Sequence, residues 1–286
     1  MVTHTAFIPR FRRTLAGIAA VVAVLLGLSL TAAGSAAAGG RPAPKPTVVF
    51  VHGAFADASG WADSIADLQR RGYPVLAPPN PLRGVSSDAA YLRSFLSTIS
   101  GPIVLVGHSY GGAVITDAAT GNPNVKALVY IAAYALAAGE SVDGANHLGG
   151  ASGDLRPYID LRPYPGAPVI DPASGATDQD VYLKLDQFRR IFAADVPAGR
   201  AAVMAASQRP ATLIALGEPS GPAAWTSIPS WYLVTRDDQA IPPAAQRAMA
   251  ARAGATTVEI RSSHAVMVSH PEAVTKLVLS ASAKSA

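Results

Sequence analysis

The sequence contains no cysteine. That absence excludes disulfides, thiol nucleophiles, thiolate metal sites and a lipid-modified N-terminal cysteine. Charge is scarce as well: 15% of the 286 residues are Asp, Glu, Lys or Arg, while 50% are apolar. A chain of that composition can bury a sizeable core and is not globally disordered. Its length allows one large domain or two small ones. No internal repeat is present, and no group of His, Asp and Glu has the spacing of metal ligands, so no metal is expected. The net charge of +4 gives no case for a nucleic-acid partner. Three of the 23 basic side chains and none of the 19 acidic ones lie in residues 1–38, so the remainder carries a net of only +1. No basic cluster stands out in that remainder.

The first 38 residues read as a targeting segment. Arg10, Arg12 and Arg13 precede an uninterrupted apolar and small run over residues 15–30, and the segment ends in Ala36-Ala37-Ala38. Charged start, apolar middle and small-residue cleavage site are the parts of a signal peptide. The run is short for a membrane span and is followed by small residues instead of charges. Cleavage near Ala38 and secretion are therefore expected, with no stable membrane association afterwards. The pair Arg12-Arg13 leaves the Sec and twin-arginine routes both open. Residues 39–46 are a Pro/Gly linker with nothing to bury.

From residue 47 onward, short apolar runs alternate with helical patterns. Residues 47–51, 74–76, 103–106, 125–130, 230–234 and 256–260 read as strands. Residues 61–71, 87–98, 111–120, 243–253 and 271–283 read as helices. Ser59 is placed to cap the first helix, Gly72 to end it, and Pro271 falls in the first turn of the last. The first strand is almost wholly apolar, as a central parallel strand is. The class is α/β, with a mainly parallel sheet of about six strands and helices on both faces. Functional groups should collect beyond the carboxyl ends of the strands. The alternation stops over residues 137–228, which read as an inserted cap. Within it, residues 181–207 have the pattern of an amphipathic helix, with Leu185, Phe188, Ile191 and Phe192 at helical spacing. Those four side chains either line a pocket or pack as helix core, and core packing is the expected use for most of them.

The strongest motif is Gly107-His108-Ser109-Tyr110-Gly111, directly after a buried strand and directly before a helix. In that setting G-x-S-x-G is a sharp turn that pushes a serine hydroxyl outward. Gly107 and Gly111 leave room for it by having no Cβ. The positive end of the next helix faces the serine, and the Tyr110 N–H can face a developing oxyanion. A serine needs a base before it attacks. Of six histidines, His4 lies in the targeting segment and His147 in the cap. His52 ends the first strand and His108 adjoins Ser109; neither can readily turn its ring onto that hydroxyl, so both are expected to be structural. His270 reads as a helix-start residue before Pro271. His264, on the loop after the last strand, is the expected base. The base needs an acid behind it. Asp237 and Asp238 both follow the fifth strand, and position alone does not separate them; the unused one should meet solvent or Arg236. A second oxyanion N–H is expected from His52-Gly53-Ala54-Phe55, with Ala54 as donor and Phe55 in reserve.

Together these motifs resemble the α/β-hydrolase-fold superfamily over residues 48–278. The resemblance is carried by Val51-His52-Gly53-Ala54-Phe55, Gly107-His108-Ser109-Tyr110-Gly111-Gly112, Asp238-Gln239-Ala240-Ile241-Pro242 and Ser263-His264. More narrowly, the chain is similar to the compact branch holding plant-type methyl esterases and hydroxynitrile lyases. Members of that branch also begin almost directly with the His-Gly strand and carry a cap between the fourth and fifth strands. Their catalytic acid, a few residues before a proline, falls on Asp238. The lyases carry a lysine after the catalytic histidine and a threonine at the position of Gly53; this chain has Ala265 and Gly53. The resemblance therefore implies an esterase rather than a lyase. It implies a domain over residues 47–286, a Ser109–His264–Asp238 triad, an acyl-enzyme, a small-molecule ester as substrate and no cofactor. The chain order Ser, Asp, His belongs to this arrangement. The same triad supports amide or lactone hydrolysis and cofactor-free perhydrolysis or haloperoxidation. The fold also serves binding proteins that turn nothing over.

Overall fold

The first strand, β1 (Thr47–Val51), is buried beyond its first residue because Val48, Val49, Phe50 and Val51 leave no polar face. The computed structural model describes residues 44–284, and the expected targeting segment lies outside the described residues. A 3-10 turn (Ala58–Trp61) leads into α1 (Ala62–Arg70), followed by β2 (Val75–Leu76) and α2 (Val85–Leu96). Then come β3 (Ile103–Ser109), α3 (Tyr110–Ala118) and β4 (Val125–Ala133). An insertion separates β4 from the next core strand. It holds α4 (Val142–Ala145), β5 (Ile159–Pro163), β6 (Val169–Asp171), β7 (Ala176–Thr177), β8 (Gln179–Leu183), α5 (Leu185–Phe192), α6 (Ala198–Ala206), β9 (Ala211–Thr212) and α7 (Leu213–Gly217). The core resumes with β10 (Ser230–Thr235), α8 (Pro243–Arg252), β11 (Thr256–Ile260), α9 (Val266–Ser269) and α10 (Pro271–Ala283).

Six strands form one parallel sheet in the order β2-β1-β3-β4-β10-β11. Helices α2 and α3 pack together, with α3 lying on β1, β3 and β4. Helices α1 and α10 pack together, with α10 on β3, β4 and β10. From β1 the chain steps outward to β2, then returns to place β3 on the other side of β1. That reversal opens a crevice at the carboxyl ends of β1 and β3, where parallel α/β sheets build their sites. The register sets Val51 beside Gly107, so the His52-Gly53 loop and the Ser109 turn leave the sheet side by side.

Two local expectations are corrected. The cap of the first helical turn is Asp57, whose carboxylate accepts the Ser59 N–H at 2.8 Å; Ser59 is the residue capped. Residues 181–207 are not one helix. Val181 and Leu183 alternate inward along β8, which pairs antiparallel with β5 and β9. Leu185–Phe192 and Ala198–Ala206 form two separate helices, and Pro197, which has no N–H to continue a helix, stands immediately before the second. On α5, Phe188, Ile191 and Phe192 are buried, whereas Leu185 is 66% exposed. Phe188→Ala should therefore lower unfolding stability by about 3–5 kcal/mol in urea denaturation, while Leu185→Ala should stay within about 0.5 kcal/mol.

Candidate active site

Strand β3 ends at Ser109, and α3 begins at the next residue. The turn forces Ser109 to φ 54°, ψ −127°, a region that costs a non-glycine residue about 1–3 kcal/mol. It is tight: a Cβ on Gly107 would sit 2.7 Å from the Gly111 carbonyl oxygen. The loop after β1 closes in from the other side. A Cβ on Gly53 would sit 2.6 Å from the Ser109 Cβ, so only glycine admits this approach. His52 holds the loop. Its Nδ1–H donates to the Gly53 carbonyl at 3.0 Å, and its Nε2 accepts the Asn80 N–H at 3.1 Å. One donor and one acceptor make this a neutral imidazole, and burial pulls its pKa below the ordinary value. His52 is thus a structural residue, as expected.

The Ala54 N–H has no partner among the described residues. The Phe55 N–H is committed, donating to the Arg209 carbonyl at 2.8 Å. Tyr110 opens α3, where the first N–H groups have no partner within the helix. Its hydroxyl donates to Asp88 at 2.8 Å, and the Arg83 N–H donates to the same carboxylate. Burial raises the pKa of Tyr110 far above the usual range and pushes Asp88 up as well. Asn80 and Asp88 were not among the expected site residues; each is a lone polar residue with no spacing signal.

His264 follows β11 and bonds through Nδ1 to the Asp238 carboxylate at 2.7 Å, with side chains 1% and 0% exposed. Asp238 takes four further donors. The Ala240 and Ile241 N–H groups reach Oδ1 at 2.8 and 2.9 Å. The Thr235 hydroxyl and the Gln246 amide reach Oδ2, both at 2.9 Å. A carboxylate so held directs Nδ1–H of the imidazole inward and leaves Nε2 as the working nitrogen. Asp237 turns away and pairs with Arg261 at 3.5 Å, not with Arg236.

The backbone of His264 is pinned on both sides. The Ser263 N–H donates to Asp195 at 3.1 Å, and the Ala265 N–H donates to the Phe192 carbonyl at 2.8 Å. His108 adds a third tie, its Nε2–H donating to the His264 carbonyl at 3.0 Å while the two rings lie 4.6 Å apart. Its Nδ1 is buried with no partner among the described residues, so His108 is a neutral structural imidazole. Burial, and then the nearby His264, push its pKa well below the ordinary value. His270 joins α9 to α10, with Nδ1 2.9 Å from the Ser269 hydroxyl. His4 lies outside the described residues.

Ser109, His264, Ala54 and Tyr110 share the wall of one cavity of about 330 Å³. The insertion supplies much of the rest, including Leu155, Ile159, Val181 and Leu213; no residue of α5 takes part. Exposed His147 also lies on this wall. A hydroxyl, an imidazole backed by a buried carboxylate, and two N–H donors around one apolar chamber are equipment for attack on an acyl carbon.

The buried neutral imidazole has a consequence for stability. The unfolded chain protonates His108 below about pH 6.5, and the folded chain resists doing so. The contribution is present above that pH and is lost as pH falls. The stability difference between wild type and His108→Gln should move in favour of the variant by about 1.4 kcal/mol per pH unit below 6.5, measured by denaturant unfolding.

The sequence matches the alpha/beta hydrolase family over residues 48–277. It is 26% identical over 260 residues to an alpha/beta hydrolase of Aspergillus novofumigatus, covering 83% of this chain and 96% of that protein. It is 26% identical over 250 residues to a pyrethroid hydrolase of Sphingobium wenxiniae, covering 81% of this chain and 85% of that protein. The solved structure of polyneuridine aldehyde esterase superposes with a TM-score of 0.69 at 19% identity, covering 82% of this chain and 98% of that one, and shares its fold. With the match running through the sheet, the insertion and the cavity wall, the chain belongs to the alpha/beta hydrolase family and is a hydrolase.

Proposed function

We propose that the protein hydrolyses carboxylic esters through an acyl-enzyme, with Ser109 as nucleophile, His264 as base and Asp238 as the acid that orients it. One observation carries this reading: His264, backed by a bond to buried Asp238, lines the same cavity as a serine on a strained turn. The relatives named as hydrolase and esterase support an ester as the bond cleaved.

In the first half-reaction, His264 Nε2 takes the Ser109 proton while Oγ attacks the carbonyl carbon. The Ala54 and Tyr110 N–H groups hold the oxyanion. The imidazolium then protonates the departing alkoxide, leaving the acyl group on Ser109. In the second half, His264 deprotonates a water that attacks the acyl carbon, and the proton returns to Ser109 as the acid leaves. Asp238 balances the imidazolium charge in both halves without taking the proton. Export of the protein is part of the same proposal and rests on the sequence of residues 1–38 alone.

The test is nitrophenol release from short and medium p-nitrophenyl esters. Ser109→Ala should abolish it with the fold intact; equal rates in wild type and variant would end the proposal. Asp238→Asn should keep the fold and lower kcat by about three to four orders of magnitude. Undiminished turnover in that variant would remove Asp238 from the mechanism.

A further inference from the structure

The cavity wall carries a buried side-chain amide that ester cleavage leaves unused. Asn146 closes α4 and is only 5% exposed, yet it lines the same chamber as Ser109 and His264. Its Oδ1 accepts the Tyr134 hydroxyl at 3.0 Å. Tyr134 is itself buried, and burial pushes its pKa far above the usual range, so it remains a donor. In this arrangement the amide oxygen lies on the hydroxyl. The other end, Nδ2, has no hydrogen-bond partner among the described residues. It is not one of the donors sealed in the interior, so it is accessible, on a residue that lines the cavity. The backbone holds the group in place: the Asn146 N–H donates to the Asp143 carbonyl, and the Gly153 N–H donates to the Asn146 carbonyl, each at 3.3 Å.

The surroundings narrow what such a donor can meet. Val142, Leu155, Ile159, Val181, Leu213 and Leu216 give the chamber apolar walls. Arg156, the one arginine in the lining, is already held by both oxygens of Asp154 at 2.8 and 2.9 Å. The charge of that exposed arginine is offset by Asp154, and a carboxylate on the substrate would also meet Asp143.

We propose that Asn146 is a specificity-determining residue: its amide N–H donates to a second acceptor on a neutral, apolar ester. That acceptor is a carbonyl, ether or hydroxyl oxygen carried apart from the scissile carbonyl. The proposal rests on the ester-hydrolase reading and names its substrate class. A substrate without an acceptor there buries Nδ2 unpaired, whereas a substrate with the acceptor gives it a hydrogen bond. The difference is a factor of about 10–100 in kcat/KM, expressed mainly in KM because the contact is remote from the reacting bond.

The experiment compares matched esters on the full protein. On the acyl side these are p-nitrophenyl octanoate and its 4-, 5-, 6- and 7-oxo analogues, each corrected for its rate with hydroxide. On the alcohol side they are octyl acetate and the corresponding oxo-octyl acetates, followed by acid release. Wild type should prefer at least one oxo ester over its hydrocarbon match by about 10–100-fold, and Asn146→Leu should bring that ratio close to one. Asn146→Asp keeps the acceptor for Tyr134 and removes the donor, so it should lose the same preference even if the leucine variant folds poorly. No oxo preference on either side, or a preference surviving in Asn146→Leu, would overturn the assignment.

Calorimetric binding of the same esters to Ser109→Ala reads the contact without turnover. Tighter binding of an oxo ester there, abolished by Asn146→Leu, supports Asn146 even if wild type cleaves none of them and the hydrolytic reading falls. Equal binding of oxo ester and hydrocarbon match removes Asn146 whatever the rates show.

Discussion

Ser109 is held where a non-glycine backbone does not rest by itself, at φ 54° and ψ −127°. The sheet keeps it there. On one side its carbonyl accepts the Tyr134 N–H at 3.1 Å, beside an irregularity in the β3–β4 register between His108 and Ser109. On the other, the β1 loop presses Gly53 against its Cβ, and His52 and Asn80 hold that loop through their hydrogen bonds. Phe55 and Ala132, on the neighbouring segments, also take positive φ values of 61° and 43°. Strain gathered this way persists only where surrounding packing over-determines it. Here the packing is a sheet whose central strands are buried along nearly their whole length.

The insertion does more than cover the cavity. Its Asp195 carboxylate and Phe192 carbonyl hold the N–H groups of Ser263 and Ala265, the residues on either side of His264, while Phe192 packs its ring 4.8 Å from the imidazole. Burial works against the charge on Asp195, but the hydroxyls of Ser263 and Ser262 outweigh it and keep that carboxyl below the usual range. The segment that supplies much of the cavity wall therefore also positions His264. A change of substrate shape in the cavity is mechanically close to the imidazole.

Much of this was legible from the residues, for physical reasons that differ by element. β11 and α10 fell where expected because a short β-branched run and a proline at the first helical turn mark their own boundaries. Gly107 and Ser109 were legible because backbone crowding leaves few alternatives to glycine. Other parts were not. Asp57 and Ser59 are equally good cap residues in sequence, and the backbone decides between them. The strand β8 ran into α5 without a turn signal, so its two-residue alternation was absorbed into a helical pattern. Asp195, Gln246, Asp88 and Asn146 reach the site only through tertiary packing, and a lone polar residue has no period by which to be read. Asp237 and Asp238 were separable by resemblance, and the structure shows the physical difference between them: one turns out to Arg261 and the other inward to five donors.

The central claim is that Ser109 is a nucleophile activated by His264, and covalent capture tests it most directly. The protein is treated with a p-nitrophenyl alkylphosphonate, and the adduct is located by peptide mass spectrometry. The account predicts one adduct, on Ser109, formed far more slowly in His264→Ala and absent in Ser109→Ala. An adduct on another residue, or equal labelling of Ser109→Ala, would contradict it.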